Sequence, residues 1–384
     1  MGFSILKVMT TILRKNGVLC GGKLAKYFRG SAMRSDVSST EAKYYIKRED
    51  GSVICQLCPN VCKIGQGETG RCGARKNEKG KLIALSYARI SSVAVDPIEK
   101  KPLYHFHPAS DILSVGSFGC SLGCLFCQNA EISQGGKPLS GEPSERISPR
   151  PPTQLLRPRE LVELALRQRS FGISYTYNEP FIWFEYLLDC AKLARQFGLK
   201  NVLVSNGYVN PEPLNELIPF IDAANIDIKS MDDSFYKRLC SAHLEPVLKT
   251  CIALKKSGVH LEVTNLIVTG ENDSERNFVE LRDWIYENLG DDTPTHLSAY
   301  FPHYKFNAPQ TPLETVKKAF EIVSEKLPFT YMGNVWRSGQ GSDTLCRNCK
   351  TVLVKRLGYS VTVVALTEKG NCTNCGTPNN FILH

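Results

Sequence analysis

The stretch GCSLGCLFCQN, residues 119–129, places Cys120, Cys124 and Cys127 within eight positions and adds no fourth cysteine beside them. Thiolates are the soft ligands of zinc and of iron–sulfur clusters. A structural zinc site closes with four ligands and a disulfide framework needs an even count, so three cysteines point to a site with one position left open. On a four-iron cluster, three thiolates leave one iron free to bind a small molecule. A zinc site completed by a distant His or carboxylate is the alternative.

Eight further cysteines form two complete sets of four. Cys55, Cys58, Cys62 and Cys72 lie in CQLCPNVCKIGQGETGRC. Its glycines and few large apolar residues predict a compact metal-held knuckle rather than a helix or sheet, closing on either zinc or an auxiliary iron–sulfur cluster. Cys346, Cys349, Cys372 and Cys375 form two C-x2-C knuckles joined by a 22-residue span with two β-rich runs, TVLVKR and SVTVVAL. That is the pattern of a zinc ribbon, whose four ligands leave no position for substrate. Cys20, Cys190, Cys240 and Cys251 stand alone and read as small buried hydrophobes. Such grouping among 15 cysteines indicates metal rather than disulfides, and a reducing compartment.

The elements that must position the three-cysteine run are legible as alternating strands and helices. LSVGSF (113–118), ISYTY (173–177), NVLVSN (201–206), AANIDI (223–228), HLEVTNLIV (260–268) and HLSAYF (296–301) read as buried strands. Between them, residues 160–169, 186–197, 245–257 and 277–289 carry apolar side chains at helical spacing on one face. Strand–helix alternation requires parallel pairing, and six units make a partial, TIM-like (β/α)6 barrel with its chemistry at the strands' C-terminal ends. LSVGSF runs straight into Cys120, so the cysteine loop is expected at that mouth. The chain thus divides into a basic extension (1–38), a Cys-rich region (39–105), the barrel (106–335) and a ribbon-like module (336–384).

Charge narrows the function classes. The net charge is +9, yet residues 1–34 hold seven basic residues and no acidic one, so the remainder is nearly balanced. A zinc-stabilised RNA-binding module is therefore disfavoured, since no strand interleaves aromatic and basic residues. The acid-free start is similar to an organelle presequence; an unstructured extension, or a true start at Met33, are the plainer readings of a cytoplasmic protein. No apolar run approaches the roughly 18 to 20 residues of a membrane span.

C-x3-C-x2-C with an aromatic, Phe126, before the last cysteine resembles the signature of radical S-adenosylmethionine enzymes. The ordered motifs CQLCPNVCKIGQGETGRCGARKN, VDPIEKKPLYHFHP, GCSLGCLFCQNAEISQ, YTYNEP, LVSNGY, DAANIDIK and FPHYK extend the resemblance from about residue 40 to 376. They are similar to the radical enzyme of the AmmeMemoRadiSam system, itself related to pyruvate formate-lyase activating enzymes. The resemblance implies a [4Fe-4S] cluster on Cys120, Cys124 and Cys127 whose open iron chelates S-adenosylmethionine. Reductive cleavage then gives a 5′-deoxyadenosyl radical that abstracts hydrogen from an undefined substrate. It also implies a reductant such as ferredoxin or flavodoxin, and association with Memo-like and AMMECR-like proteins. Glycyl-radical formation on a partner protein and radical modification of a small molecule or lipid precursor both remain open.

Residue by residue, the resemblance gives Asn178 and Glu179 of YTYNEP the cofactor's ammonium, where relatives carry Gly-Gly-Glu; here the two glycines are absent. Ser205 and Asn206 face ribose or carboxylate oxygens. Asp227 and Lys229 match an Asp-x-Lys pair near the cofactor, an ordinary internal ion pair being the alternative. Asn265, Tyr300 and His303 are candidates for the adenine or substrate side. DPIEKKPLYHFHP and the N-terminal knuckle are expected to cover the mouth.

Overall fold

Short apolar runs joined by amphipathic helices produce one mixed sheet. The computed structural model describes residues 40–335 and 341–383; the basic extension and Cys20 lie outside them. In chain order the sheet and its helices are β1 (Ser92–Pro97), β2 (Asp111–Gly116), α1 (Pro158–Arg167), β3 (Gly172–Tyr175), α2 (Phe184–Gln196), β4 (Lys200–Ser205), α3 (Pro211–Leu217), β5 (Ala223–Asp227), α4 (Leu244–Lys256), β6 (His260–Ile267), α5 (Glu275–Leu289), β7 (Thr295–Ala299), α6 (Leu313–Ser324) and β8 (Thr330–Gly333). The strand order is 8-7-6-5-4-3-2-1, parallel from β2 to β8, with β1 antiparallel to β2. The edges β1 and β8 are not bonded to each other, so the sheet is open.

All six expected strands are present, and a seventh parallel strand, β8, was not foreseen. Its four residues, TYMG, are too short to show a period. The antiparallel edge strand β1 was likewise unread. The cysteine-rich segment also departs from expectation. It contains a small antiparallel sheet of Tyr45–Lys47, Val53–Cys55 and Lys63–Ile64, because two- and three-residue strands leave no sequence signal.

The two faces of the main sheet differ in chemistry. Leu113, Val115, Ile173, Tyr175, Leu203, Ile226, Val263 and Leu297 are buried in the main core with the helices' apolar faces. The alternate residues include polar pairs, Ser114 with Ser174, Asn225 with Glu262 and Thr264 with His296, beside the apolar Ile112, Val202, Val204 and Ala223. Parallel strands buried on both faces normally read as continuous apolar runs, so this alternation marks a sheet with a partly polar interior.

The segment expected to cover the mouth does something else. The Pro102 carbonyl accepts a bond from Asn225 Nδ2 (2.7 Å), and the Tyr104 and His105 amides donate to buried Glu262 at 2.9 and 2.7 Å. Leu103 and Phe106 pack with Ile112, Val202 and Ala223, which lie in the first halves of their strands. DPIEKKPLYHFHP therefore floors the interior at the end remote from the cysteine loop.

Val352–Leu357 and Ser360–Val363 pair as the expected hairpin, joined by Thr344–Leu345. This module clamps the floor from outside: Arg356 donates to the Tyr104 carbonyl (2.8 Å), and the Ile382 amide donates to the His105 carbonyl (2.8 Å).

Candidate functional site

The three cysteines occupy the loop that leaves the C-terminal end of β2 and runs to a short helical turn, Ala130–Ser133. Gly119 opens it at φ +81°, and a Cβ there would lie 2.3 Å from the Cys72 carbonyl oxygen, so only glycine fits. Cys120 and Cys127 are partly exposed and Cys124 is buried. Burial pushes the Cys120 thiol up to about 12 and that of Cys127 upward; a hydrogen bond with Cys240, then burial, raises Cys124. A metal centre taking these sulfurs must therefore displace their protons.

The loop is braced from every side. Asn178 Oδ1 accepts from the Ser117 amide and its Nδ2 donates to the Gly119 carbonyl, both at 2.9 Å. The Gly123 and Leu125 amides donate to the Cys240 and Leu239 carbonyls at 2.8 and 2.9 Å. Those acceptors end a single π-helical turn, Tyr236–Cys240, a form often found at functional sites. His303 Nδ1 donates to the Cys127 carbonyl (3.1 Å) and the Lys305 amide to that of Leu125 (2.9 Å). Lys137 donates to the Leu122 carbonyl.

Glu179 is the centre of the adjacent polar network. Its carboxylate accepts from the Phe181 amide (3.0 Å), Ser205 Oγ (2.7 Å) and the Asn206 amide (2.9 Å). Burial raises its pKa to about 7 despite these donors. Asn206 Nδ2 in turn reaches Cys120 Sγ (3.5 Å) and Ser121 Oγ (3.3 Å). Asp227 and Lys229 form an ion pair at 2.9 Å. Burial works against the Lys229 charge, but Asp227 holds its ammonium well above the ordinary value.

Most of the sequence-derived candidates thus converge. Asn178, Ser205, Asn206, His303 and Lys229 lie on or beside the loop, and Phe126 is buried in contact with Phe235 and Phe306. Asn178 differs from expectation in that its amide holds the loop itself. Tyr300 and Asn265 are engaged elsewhere. The Tyr300 hydroxyl donates to the Phe306 carbonyl (2.7 Å), and Asn265 Nδ2 donates to the Ile228 carbonyl (2.8 Å) from the apolar face of β6. Cys190, Cys240 and Cys251 are buried core residues as expected, and the Cys240 carbonyl also braces the cysteine loop.

Sequence reasoning missed Asn60, whose Nδ2 donates to the Ser121 carbonyl (2.8 Å), and the backbone braces. Backbone carbonyls carry no residue-type signal. Asn60 was readable only as part of the N-terminal motif.

The other two sets differ from each other. Among the described residues, Cys346, Cys349, Cys372 and Cys375 bring four sulfurs within 4.8 Å of one another, with Cys346–Cys375 and Cys349–Cys372 both at 3.6 Å. Hydrogen bonds from Thr351 and Asn374 hold the Cys349 thiol down to about 5, which readies it as a ligand. A tetrahedral ion could take these four sulfurs. Cys55, Cys58, Cys62 and Cys72 instead line a shared pocket with Arg75 and Ile182.

The donor set of the loop fits a cluster. Three soft ligands stand on one braced segment, and no three of their sulfurs crowd within single-ion range. The family model described as "Radical SAM superfamily" matches residues 114–285. An uncharacterized protein of Methanocaldococcus jannaschii is 41% identical over 346 residues, 89% of this chain and 99% of that one. The pyruvate formate-lyase-activating enzyme of Clostridium pasteurianum is 26% identical over 177 residues, 44% of this chain and 66% of that enzyme. A solved domain of a pyruvate-formate lyase-activating enzyme from Bacteroides vulgatus is 21% identical, at a TM-score of 0.38, over 42% of this chain and 99% of that domain. On the match over residues 114–285 the chain belongs to the radical SAM superfamily, which implies a [4Fe-4S] cluster and S-adenosylmethionine as cofactors.

Proposed function

We propose that Cys120, Cys124 and Cys127 hold the four-iron cluster with one iron open, and that the chain is a hydrogen-abstracting radical enzyme related in mechanism to glycyl-radical activases. When bound, the cluster supplies the electron that cleaves the carbon–sulfur bond of S-adenosylmethionine, releasing a 5′-deoxyadenosyl radical. The observation that carries this reading is the three-thiol loop, braced at Ser117, Gly119, Gly123, Leu125 and Cys127 by three separate segments of the chain. Such bracing fixes three sulfurs while leaving the fourth position to a ligand.

The chain's own residues have distinct tasks. Glu179, in its ionised form, takes the cofactor's ammonium in a charge-assisted contact. Lys229, steadied by Asp227, takes the carboxylate. Ser205 and Asn206 hold Glu179 in place and lend donors to the same region. Phe126 forms a dry wall behind the loop, and the open sheet, read as a partial barrel, presents its partly polar interior below. The substrate is a glycine of a partner protein, by analogy with the activating enzyme to which the chain is similar. Ferredoxin or flavodoxin is the reductant and Memo-like and AMMECR-like proteins are the associates, on the motif resemblance. The C-terminal set holds one structural zinc. Among the described residues, no helix is long and apolar enough to cross a membrane.

The test is anaerobic turnover with a low-potential reductant. Cys124→Ala abolishes 5′-deoxyadenosine formation while metal at the other two cysteine sets stays. Persistent 5′-deoxyadenosine from the variant lacking all three cysteines would sink the assignment.

A further inference from the structure

We infer that Cys55, Cys58, Cys62 and Cys72 ligate a second iron–sulfur cluster, set directly against the catalytic loop. The inference rests on the reading of Cys120, Cys124 and Cys127 as the first cluster's ligands.

Geometry separates the two complete cysteine sets. A tetrahedral zinc with Zn–S bonds of about 2.3 Å needs its sulfurs about 3.8 Å apart. The C-terminal set meets that, with two pairs at 3.6 Å. In the N-terminal set no three sulfurs lie within 4.8 Å of one another, although all four thiols line one pocket. Cluster ligands are spread in this way because each thiolate binds a different iron. The three catalytic cysteines show the same spread.

The pocket's remaining wall suits an anionic cluster. Arg75 lines it, is 1% exposed, and gives its two terminal nitrogens to Glu185 (2.7 Å) and the Lys43 carbonyl (2.8 Å). Its buried Nε has no hydrogen-bond partner. A buried donor without an acceptor is costly, and cluster sulfur is an acceptor of the right charge.

Contact with the catalytic loop is direct. The Cys72 carbonyl accepts from the Cys120 amide (3.1 Å), joining one ligand of each set by a single backbone bond. Asn60, between Cys58 and Cys62, donates to Ser121, between Cys120 and Cys124. Ile182 lines the N-terminal pocket and also stands 3.0 Å from the place a Gly119 Cβ would occupy.

The experiment uses the full chain with Cys120, Cys124 and Cys127 all changed to Ala, reconstituted anaerobically with ferrous iron and sulfide. It should bind about four irons and four sulfides per chain and give a cluster Mössbauer spectrum. Zinc without iron or sulfide overturns the inference. Adding Cys58→Ser and Cys62→Ser should remove that iron while the C-terminal zinc remains; retained iron overturns it. Should the double change cost the fold, Cys349→Ser in the triple background decides: iron kept supports the N-terminal site, and iron lost assigns it to the ribbon. Failure of the catalytic reading shows differently, as wild-type protein that carries this cluster yet forms no 5′-deoxyadenosine.

Discussion

The pKa of Glu179 rises to about 7 because burial opposes its charge more than three donors favour it. Near neutrality a sizeable share is therefore protonated, and a protonated carboxyl is a poor partner for an ammonium ion. Binding of S-adenosylmethionine should strengthen as pH rises from 6 to 8, since the carboxylate form grows through that window. Glu179→Gln should weaken binding by about 1.5 to 3 kcal/mol, the worth of a charged hydrogen bond, and flatten this pH dependence. Anaerobic titrations at both pH values check it. Equal affinity for the two proteins would move Glu179 out of the site. The same residue scale shows why Asn178 was only half legible. Its place beside Glu179 was readable from YTYNEP, but its use as a clamp on Ser117 and Gly119 depends on residues about 60 positions away in sequence, which no local pattern reports.

At the scale of elements, the cysteine loop is held more by its neighbours than by itself. Asn178→Ala removes both of that side chain's bonds and leaves the Ser117 amide buried without an acceptor. The cost should be about 1 to 3 kcal/mol, read as a lower melting temperature and faster loss of iron in air. Strands β2 to β7 were visible because apolar runs of five or more residues sit between helical periods. β8 and the small N-terminal sheet were not, because four residues or fewer carry no period and acquire their structure from tertiary pairing. The floor segment was misplaced for a related reason. Its motif said that residues 96–108 matter, while the Asn225 and Glu262 contacts that locate it belong to distant strands.

For the whole molecule, the C-terminal module is a clamp. Glu262 accepts from His260 (3.1 Å), His296 (2.6 Å) and the floor's amides, and Arg356 lies 4.2 Å from the Tyr104 ring that covers this group. Cys349→Ser should lower thermal stability by loosening the module, and should reduce the one zinc per chain that otherwise survives air oxidation. Cofactor cleavage per folded molecule should stay largely intact, since the described residues of the module bond to the floor, remote from the loop. Metal analysis and calorimetry beside the turnover assay check all three outcomes.

The bond from His105 Nδ1 to the Asn379 carbonyl spans 274 positions of chain. During synthesis, at 5 to 20 residues per second, the floor must wait roughly 14 to 55 s for this outer bond, after Asn225 and Glu262 are already in place. In that interval the cysteine loop and its strands can already pair, while the remote end of the interior stays unsealed. The clamp's bonds to the floor are thus among the last of the fold to become available, and they close the end farthest from the cysteine loop.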